Sequence, residues 1–486
     1  MPRRHVQLHA GPQHAPDGTA VDALVRDGLA ALRHELDIPA EFPAEVTAEA
    51  VAAAGTKQAI PRDDATHIPF VTIDPEGSMD LDQAVHIERA GTGYRVHYAI
   101  ADVAAWVVPG GAIDREARLR VETLYAPDGR TPLHPPELSE AAASLLPDQV
   151  TPVLLWTIDL DATGERTRAT VRRAHVQSRA QLTYEDAQRS LDDGTADESM
   201  RLLKVVGTLR EDIERARGGI TLPVPEQLVE QGPDGVWTLG SRATLPVEEW
   251  NAQISLLTGM SAARLMLDGR IGVLRTLPAS DPRDVERLRL AAHGLGVAWP
   301  EGATPGDVIR DLDASNPAHA ALLSDATSLL RGAAYVAFDG ELPPYVLHAA
   351  IAAPYAHATA PLRRLVDRFV GEVCLALSAG EPVPEWARDA LPDIPGLMAS
   401  GDKHAGEYER GCIDLVEAAL LTGRVGEVFE GAIVDVRADR DAGVVQLREP
   451  AVRGRVEGAS LPLGQDVRVR LVEASVGTRT VRFELA

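Results

Sequence analysis

The sequence predicts an α+β protein in three parts: a small helical head, a large mixed domain and a C-terminal all-β OB barrel. Three observations carry this. Apolar residues recur at helical spacing near the N-terminus, the period switches from residue 69 to the alternation of strands before long amphipathic helices take over, and residues 424–486 return to short alternating strands. A length of 486 residues exceeds what one ordinary core organises.

In the head, Val21, Leu24, Val25, Leu29, Leu32 and Leu36 form one stripe of a helix over 19–36, and a second helix covers 44–54 before Gly55. A packing cap is the simplest use of such a pair, and a helix-turn-helix contact with nucleic acid is the alternative. Phe70–Ile73, Ala84–Glu88 and Tyr94–Ile100 then read as strands, with helices expected at 184–217, 246–268, 281–294, 361–378 and 402–422. Five strands follow, at 425–436, 444–447, 452–456, 467–473 and 479–484, a pattern that suits a nucleic-acid-binding OB barrel, although Phe429 and Phe483 are its only aromatics for stacking. The expected domains are therefore 1–66, 67–422 and 423–486.

No apolar run approaches membrane-spanning length and none follows the basic start as in a secretory signal, so a cytoplasmic protein with no membrane partner is expected. Cys374 and Cys412 lie in helical stretches without a zinc-binding spacing and read as core side chains. The net charge of −24 argues against a nucleic-acid partner at first sight, but the deficit is local: residues 424–486 hold ten Arg against ten Asp plus Glu. An acidic body suits an enzyme that gathers carboxylates around metal and confines its basic groups to a channel.

Two constellations can carry chemistry. In Asp74-Pro-Glu-Gly-Ser-Met-Asp80-Leu-Asp82-Gln83, three aspartates fall on one loop between strands, where their oxygens can converge on magnesium; a solvated turn rich in Asp is the alternative. In Tyr355-Ala-His357-Ala-Thr359-Ala-Pro361-Leu-Arg363-Arg364, Pro361 is expected to start a helix whose free N–H groups and two arginines attract phosphate; the alternative pairs either arginine with Asp367.

These residues resemble the ribonuclease II (RNB domain) family. Val71-Thr-Ile-Asp74 through Asp80-Leu-Asp82 is similar to its catalytic aspartate motif. Ala99-Ile-Ala-Asp-Val103, Asp114-Arg-Glu-Ala117, Tyr125-Ala-Pro, Leu133-His-Pro-Pro-Glu-Leu138 and the Tyr355–Arg364 block resemble its further blocks in the same order. The resemblance covers residues 67–422, and the barrel is similar to the family's S-one-type ending. It implies processive hydrolysis of single-stranded RNA from the 3′ end to nucleoside 5′-monophosphates. The family often carries two cold-shock barrels before its catalytic domain, and the 66 residues of helical pattern here depart from that because they cannot form them.

The same resemblance assigns roles. Asp74, Asp80 and Asp82 would hold one or two Mg2+ ions, and Arg363 would clamp the scissile phosphate. Tyr184 would sit beside the terminal nucleotide, Tyr125 would stack on RNA further up, and Glu409 would lie near the reacting end. Read without the family, the two tyrosines are half-buried core residues and Glu409 a helix-surface carboxylate. Gln83 stands where the family has a fourth aspartate, and Gln253 where a sugar-contacting glutamate is expected. No aromatic stands near Leu228-Val229, where a second stacking partner would fall. These departures leave two other readings: a non-catalytic RNA-binding member, and a phosphoesterase of small molecules.

Overall fold

A computed structural model describes residues 6–8, 20–56, 63–220, 222, 226–231, 237–242, 244–437 and 441–486. Its centre is a six-stranded sheet. In spatial order the strands are Asp63–Asp64, Arg166–Thr183, Phe70–Asp74, Gln83–Ala90, Gly93–Ala101 and Val150–Leu160. The strand Arg166–Thr183 is long enough to pair twice, antiparallel to Val150–Leu160 along its first part and parallel to Phe70–Asp74 along its last. This double pairing joins the two ends of the run. The register sets Asp74 against Thr183, so Tyr184 follows directly beside the acidic loop.

Buried apolar side chains of the sheet, Val96, Trp156 and Ile158 among them, share one core with the helices Glu198–Ala216, Pro246–Gly269 and Leu365–Ala379. Helix starts follow ordinary capping chemistry: Thr183 accepts a hydrogen bond from the Asp186 amide at 3.0 Å and Asp197 from the Met200 amide at 2.8 Å. These two caps mark a difference from the expected helix over 184–217. The chain breaks at Asp193 and Gly194 (φ +77°) and restarts at Asp197, giving Tyr184–Asp192 and Glu198–Ala216.

Pro361 does not start a helix either. Residues 361–364 form a turn, and the helix begins at Leu365 because Arg364 is extended (φ −136°, ψ 127°). The last long helix starts eight residues earlier than expected and runs Ile394–Leu421. Helices Pro305–Arg310 and Pro317–Ala326 and the strand pair Ile271–Thr276 with Ala334–Asp339 were not expected at all.

The C-terminal strands close into a barrel in the order Val428–Arg437, Ala442–Leu447, Arg453–Glu457, Thr480–Leu485, Asp466–Ser475. Phe429 and Phe483 are both buried inside it, their rings edge to face at 6.1 Å, so neither is available to stack on a base. The stripe of the first helix, Ala20–Glu35, packs on the last helix: a side chain on Gly28 would meet Leu415, and one on Gly411 would meet Leu32. The second helix, Ala44–Ala54, packs elsewhere, where Glu49 accepts the amide of Ala112 at 2.6 Å and so caps the helix Ala112–Arg120. The strand Val6–Leu8 pairs in parallel with Glu226–Gln231, so the N-terminal segment contributes a strand as well as helices. Cys374 and Cys412 are buried, as core residues should be. No helix among the described residues is long and apolar enough to cross a membrane.

Candidate active site

The acidic loop is held from beneath. Leu81 is fully buried, its amide donates to Ser144 Oγ at 3.0 Å, and that hydroxyl donates to the Met79 carbonyl at 2.6 Å. Gly77 (φ +76°) supplies the tight turn that lets the chain fold back. Asp74, at the end of its strand, is largely buried and its Oδ2 has no hydrogen-bond partner among the described residues. Burial, then the charge of Asp80, pushes its carboxyl up to about 7, against the pull of Arg363.

Asp82 is 4% exposed and accepts the Leu362 amide at 2.7 Å, while Arg363 Nε stands 3.4 Å from its other oxygen. Burial raises its carboxyl well above the ordinary range, and Arg363 and the Leu362 amide oppose that shift. Asp80 is engaged by Arg130 Nη1 at 2.5 Å and by the Tyr125 hydroxyl at 3.4 Å. Tyr125 keeps 37% of its surface exposed with its hydroxyl on the acid, as a residue lining the wall of a cleft would. Burial raises the Tyr98 hydroxyl far above its usual range, with Asp74, Tyr184 and Asp82 all close enough to add to the effect. The fold thus brings Asp74, Asp80, Asp82, Arg363, Tyr125 and Tyr184 into one neighbourhood.

The two arginines of the downstream block divide their work. Arg364 makes a bidentate pair with Asp367 at 2.9 and 3.0 Å, and Asp367 also accepts the Ala360 amide at 2.8 Å, so this pair braces the turn 360–364. Arg363 is left 43% exposed and turned to Asp82. Behind the turn, Tyr335 is hydrogen-bonded to His357 Nδ1 at 2.7 Å, and burial together with Arg364 and Arg275 holds His357 neutral.

Gln83 is occupied as well. Its Nε2 donates to the Thr359 carbonyl at 2.6 Å, and its Oε1 accepts from the Tyr98 hydroxyl at 2.5 Å and from Ser255 Oγ at 3.3 Å. The residue in the fourth acidic position therefore ties the acidic loop to the arginine turn instead of offering a free ligand oxygen. Gln83→Asp removes the donor to Thr359 and is expected to lower stability by about 1–3 kcal/mol. Chemical denaturation checks this, and an unchanged midpoint would mean that the amide does not brace the loop.

Two sequence candidates remain. Gln253 is buried on the helix Pro246–Gly269, with Nε2 bonded to Glu214 at 2.5 Å and Oε1 without a partner among the described residues. Glu409 is half-buried on the last helix, where its charge reaches Cys412. Leu228 and Val229 lie in the strand Glu226–Gln231, and the side chain of Val229 is buried. Sequence reasoning missed Arg130, Tyr98 and Ser255, whereas the pairing of Asp367 with one of the two arginines was an expected alternative and is made by Arg364. Arg130 alone had a usable signal, since it sits across a two-strand hairpin from Tyr125.

The carboxylates do not converge as they stand. Among the described residues no group of three His, Cys, Asp or Glu side chains is close enough to hold a metal ion. Arg130 draws Asp80 aside and the Leu362 amide takes one oxygen of Asp82. The donor set still fits a hard cation: among the described residues a buried Asp74 oxygen has no hydrogen-bond partner within bonding geometry, and the Asp80 charge weighs on Asp74 and Asp82 alike.

Comparison with known proteins agrees with this architecture. A model of the RNB domain matches residues 62–377, and one of the RNase II-type exonuclease C-terminal S1 domain matches residues 427–486. Ribonuclease R of Aquifex aeolicus is 28% identical over 96% of this chain and 70% of its own length, and that of Escherichia coli 25% over 96% and 62%. An uncharacterised ribonuclease of Synechocystis is 26% identical over 85% of this chain, which spans 58% of that relative. Among solved structures, Mycoplasma genitalium RNase R in complex with ribose methylated single-stranded RNA superposes with a TM-score of 0.85 at 19% identity, covering 95% of this chain and 78% of that one. Yeast Ssd1, a pseudonuclease, superposes with a TM-score of 0.62 at 16% identity, covering 95% and 59%. With the RNB model matched over more than half of its length and the S1 model over its barrel, this chain belongs to the RNB family and carries an RNase II-type C-terminal S1 domain.

Proposed function

We propose that this chain is a magnesium-dependent exoribonuclease that degrades single-stranded RNA processively from its 3′ end to nucleoside 5′-monophosphates. The observation that carries the reading is the meeting of Arg363 with buried Asp82 beside an unpartnered Asp74 oxygen, which puts a phosphate-seeking cation next to acids that need a counter-charge. Asp74, Asp80 and Asp82 would hold the cation, which supplies charge neutralisation and a more acidic water. Arg363 would bind the scissile phosphate and offset the charge that builds on it. Tyr125, exposed on one face, offers a stacking surface that tolerates any base, worth about 1–3 kcal/mol. Tyr184 would orient the terminal nucleotide, and Gln253 and Glu409 would act at the sugar and near the reacting end.

The test is a 5′-labelled single-stranded RNA incubated with magnesium or with chelator. A descending ladder with monophosphate release, abolished by chelator, supports the reading; internal cuts or nucleoside diphosphates contradict it. A non-catalytic RNA-binding role is favoured by one feature, the neutral and fully engaged Gln83 in the fourth acidic position. That role predicts RNA binding with no loss of RNA under either condition.

Cation binding should depend on pH. An unfolded aspartate ionises near ~3.9, whereas Asp74 in the fold does so at about 7. Without a cation, its contribution to stability is intact below about pH 4 and is lost as pH rises towards 7, and Asp82 shifts in the same direction. Magnesium reverses that loss only where the carboxylates are ionised. The expected result is a larger magnesium-induced rise in melting temperature at pH 7.5 than at pH 5, and a smaller difference in Asp74→Asn. Equal rises at both pH values would contradict it.

A further inference from the structure

A cavity of about 530 Å3 opens where the start of the strand Arg166–Thr183, the helix Glu198–Ala216 and the helix Pro246–Gly269 meet, and its walls share no residue with the acidic-loop site. Four arginines line it: Arg166, Arg210, Arg217 and Arg264. Arg210 is 3% exposed and gives Nη1 to the Gly164 carbonyl at 3.1 Å, leaving its buried Nε without a partner among the described residues. Arg217 gives Nε to the Ile351 carbonyl at 2.6 Å and leaves a buried Nη2 equally unmatched.

Among the described lining residues Glu165 is the one carboxylate, 60% exposed and 3.7 Å from Arg210. Asp268 pairs with Arg264 at the exposed rim, and buried Glu214 gives an oxygen to Gln253 while its charge also reaches Arg217 and Arg210, so the four guanidinium groups still outnumber these carboxylates. Burial, then the charge of Arg217, brings Arg210 down to about 10, and burial with Arg264 lowers Arg166. A guanidinium does not shed its charge at neutral pH, so buried donors of this kind call for an anionic acceptor. Leu257, Met260 and Pro354 add apolar surface to the lining, and the volume is that of a small-molecule site.

We propose that this cavity binds a small phosphate monoester, its phosphate on Arg210 and Arg217, Arg166 and Arg264 reinforcing the charge, and any organic part against the apolar surface. Forked guanidinium donors match phosphate oxygens in pairs. The hollow is half open, and its limited volume favours a small anion over a polymer backbone. This site stands independently of the nuclease reading.

The test is calorimetric titration of the full chain, with chelator and matched sodium chloride, using adenosine 5′-monophosphate and inorganic phosphate as probes. Saturable one-to-one binding is expected, weakened about tenfold or more in the Arg217→Gln/Arg264→Gln double variant, which corresponds to about 1.4 kcal/mol. It should be unchanged in Arg363→Ala. Arg264→Gln alone alters a mostly exposed side chain, so it keeps the test open if the double variant does not fold; it should weaken binding about threefold. Tighter binding of the nucleotide than of phosphate identifies a mononucleotide as occupant, and equal affinities identify free phosphate. Three results overturn the proposal: no saturable binding, binding lost in Arg363→Ala but kept in both pocket variants, or displacement by a 3′-blocked oligonucleotide whose own affinity depends on Arg264.

Discussion

Asp82→Asn is expected to reduce RNA cleavage by about 10³-fold or more while RNA binding changes little. Asparagine keeps the shape and can still accept the Leu362 amide through its carbonyl oxygen, so the turn that presents Arg363 stays in position. What is lost is the negative charge that a cation and Arg363 require. Because burial already raises the Asp82 carboxyl, removing the charge costs no stability, and the variant should melt at or above the wild-type temperature. Single-turnover rates, filter-binding affinities and melting curves check the three parts together. Near-wild-type turnover would sink the assignment of the site.

Neighbouring arginines should fail in opposite ways. Arg363→Ala removes a half-exposed group whose neighbour is Asp82 and which is proposed to bind the scissile phosphate, so cleavage should fall by about 10²- to 10³-fold with little change in melting temperature. Arg364→Ala instead strands Asp367, 2% exposed, without its bidentate partner, and should cost about 3–5 kcal/mol of stability. Urea unfolding beside initial rates separates them. If Arg364→Ala folded with wild-type stability while Arg363→Ala unfolded, the division of roles would be reversed.

The sequence made the strands around the acidic loop legible because Phe70–Asp74 and Gly93–Ala101 are unbroken apolar or alternating runs whose ends fall at Pro and Gly. The barrel was legible for the same reason. Local pattern could not say that the turn 361–364 precedes its helix, because the side chain that braces the turn before Leu365 is Asp367, which accepts the Ala360 amide seven residues earlier. Nor could it pair Arg364 with Asp367 while sending Arg363 to Asp82, since Asp82 lies 280 positions before Leu362, the neighbour of Arg363. Gln83 shows the same limit: as a letter it reads as a lost acid, whereas its partners Tyr98, Ser255 and Thr359 come from three separate segments. Phe429 and Phe483 looked available because a period of two marks which residues share a face, without saying which face is inside.

The packing of the first helix has a consequence for how the molecule comes apart. Val25, Leu29 and Leu32 of that helix, Leu415 and Val416 of the last, and Ile433 and Phe483 of the barrel belong to a single apolar cluster. The helix Ala20–Glu35 and the barrel therefore share one apolar cluster with the last long helix, closed only when segments roughly 400 residues apart have met. Removing the helix Ala20–Glu35 or the barrel would bare a greasy seam on the other, so each is in effect the solubilising cover of its opposite.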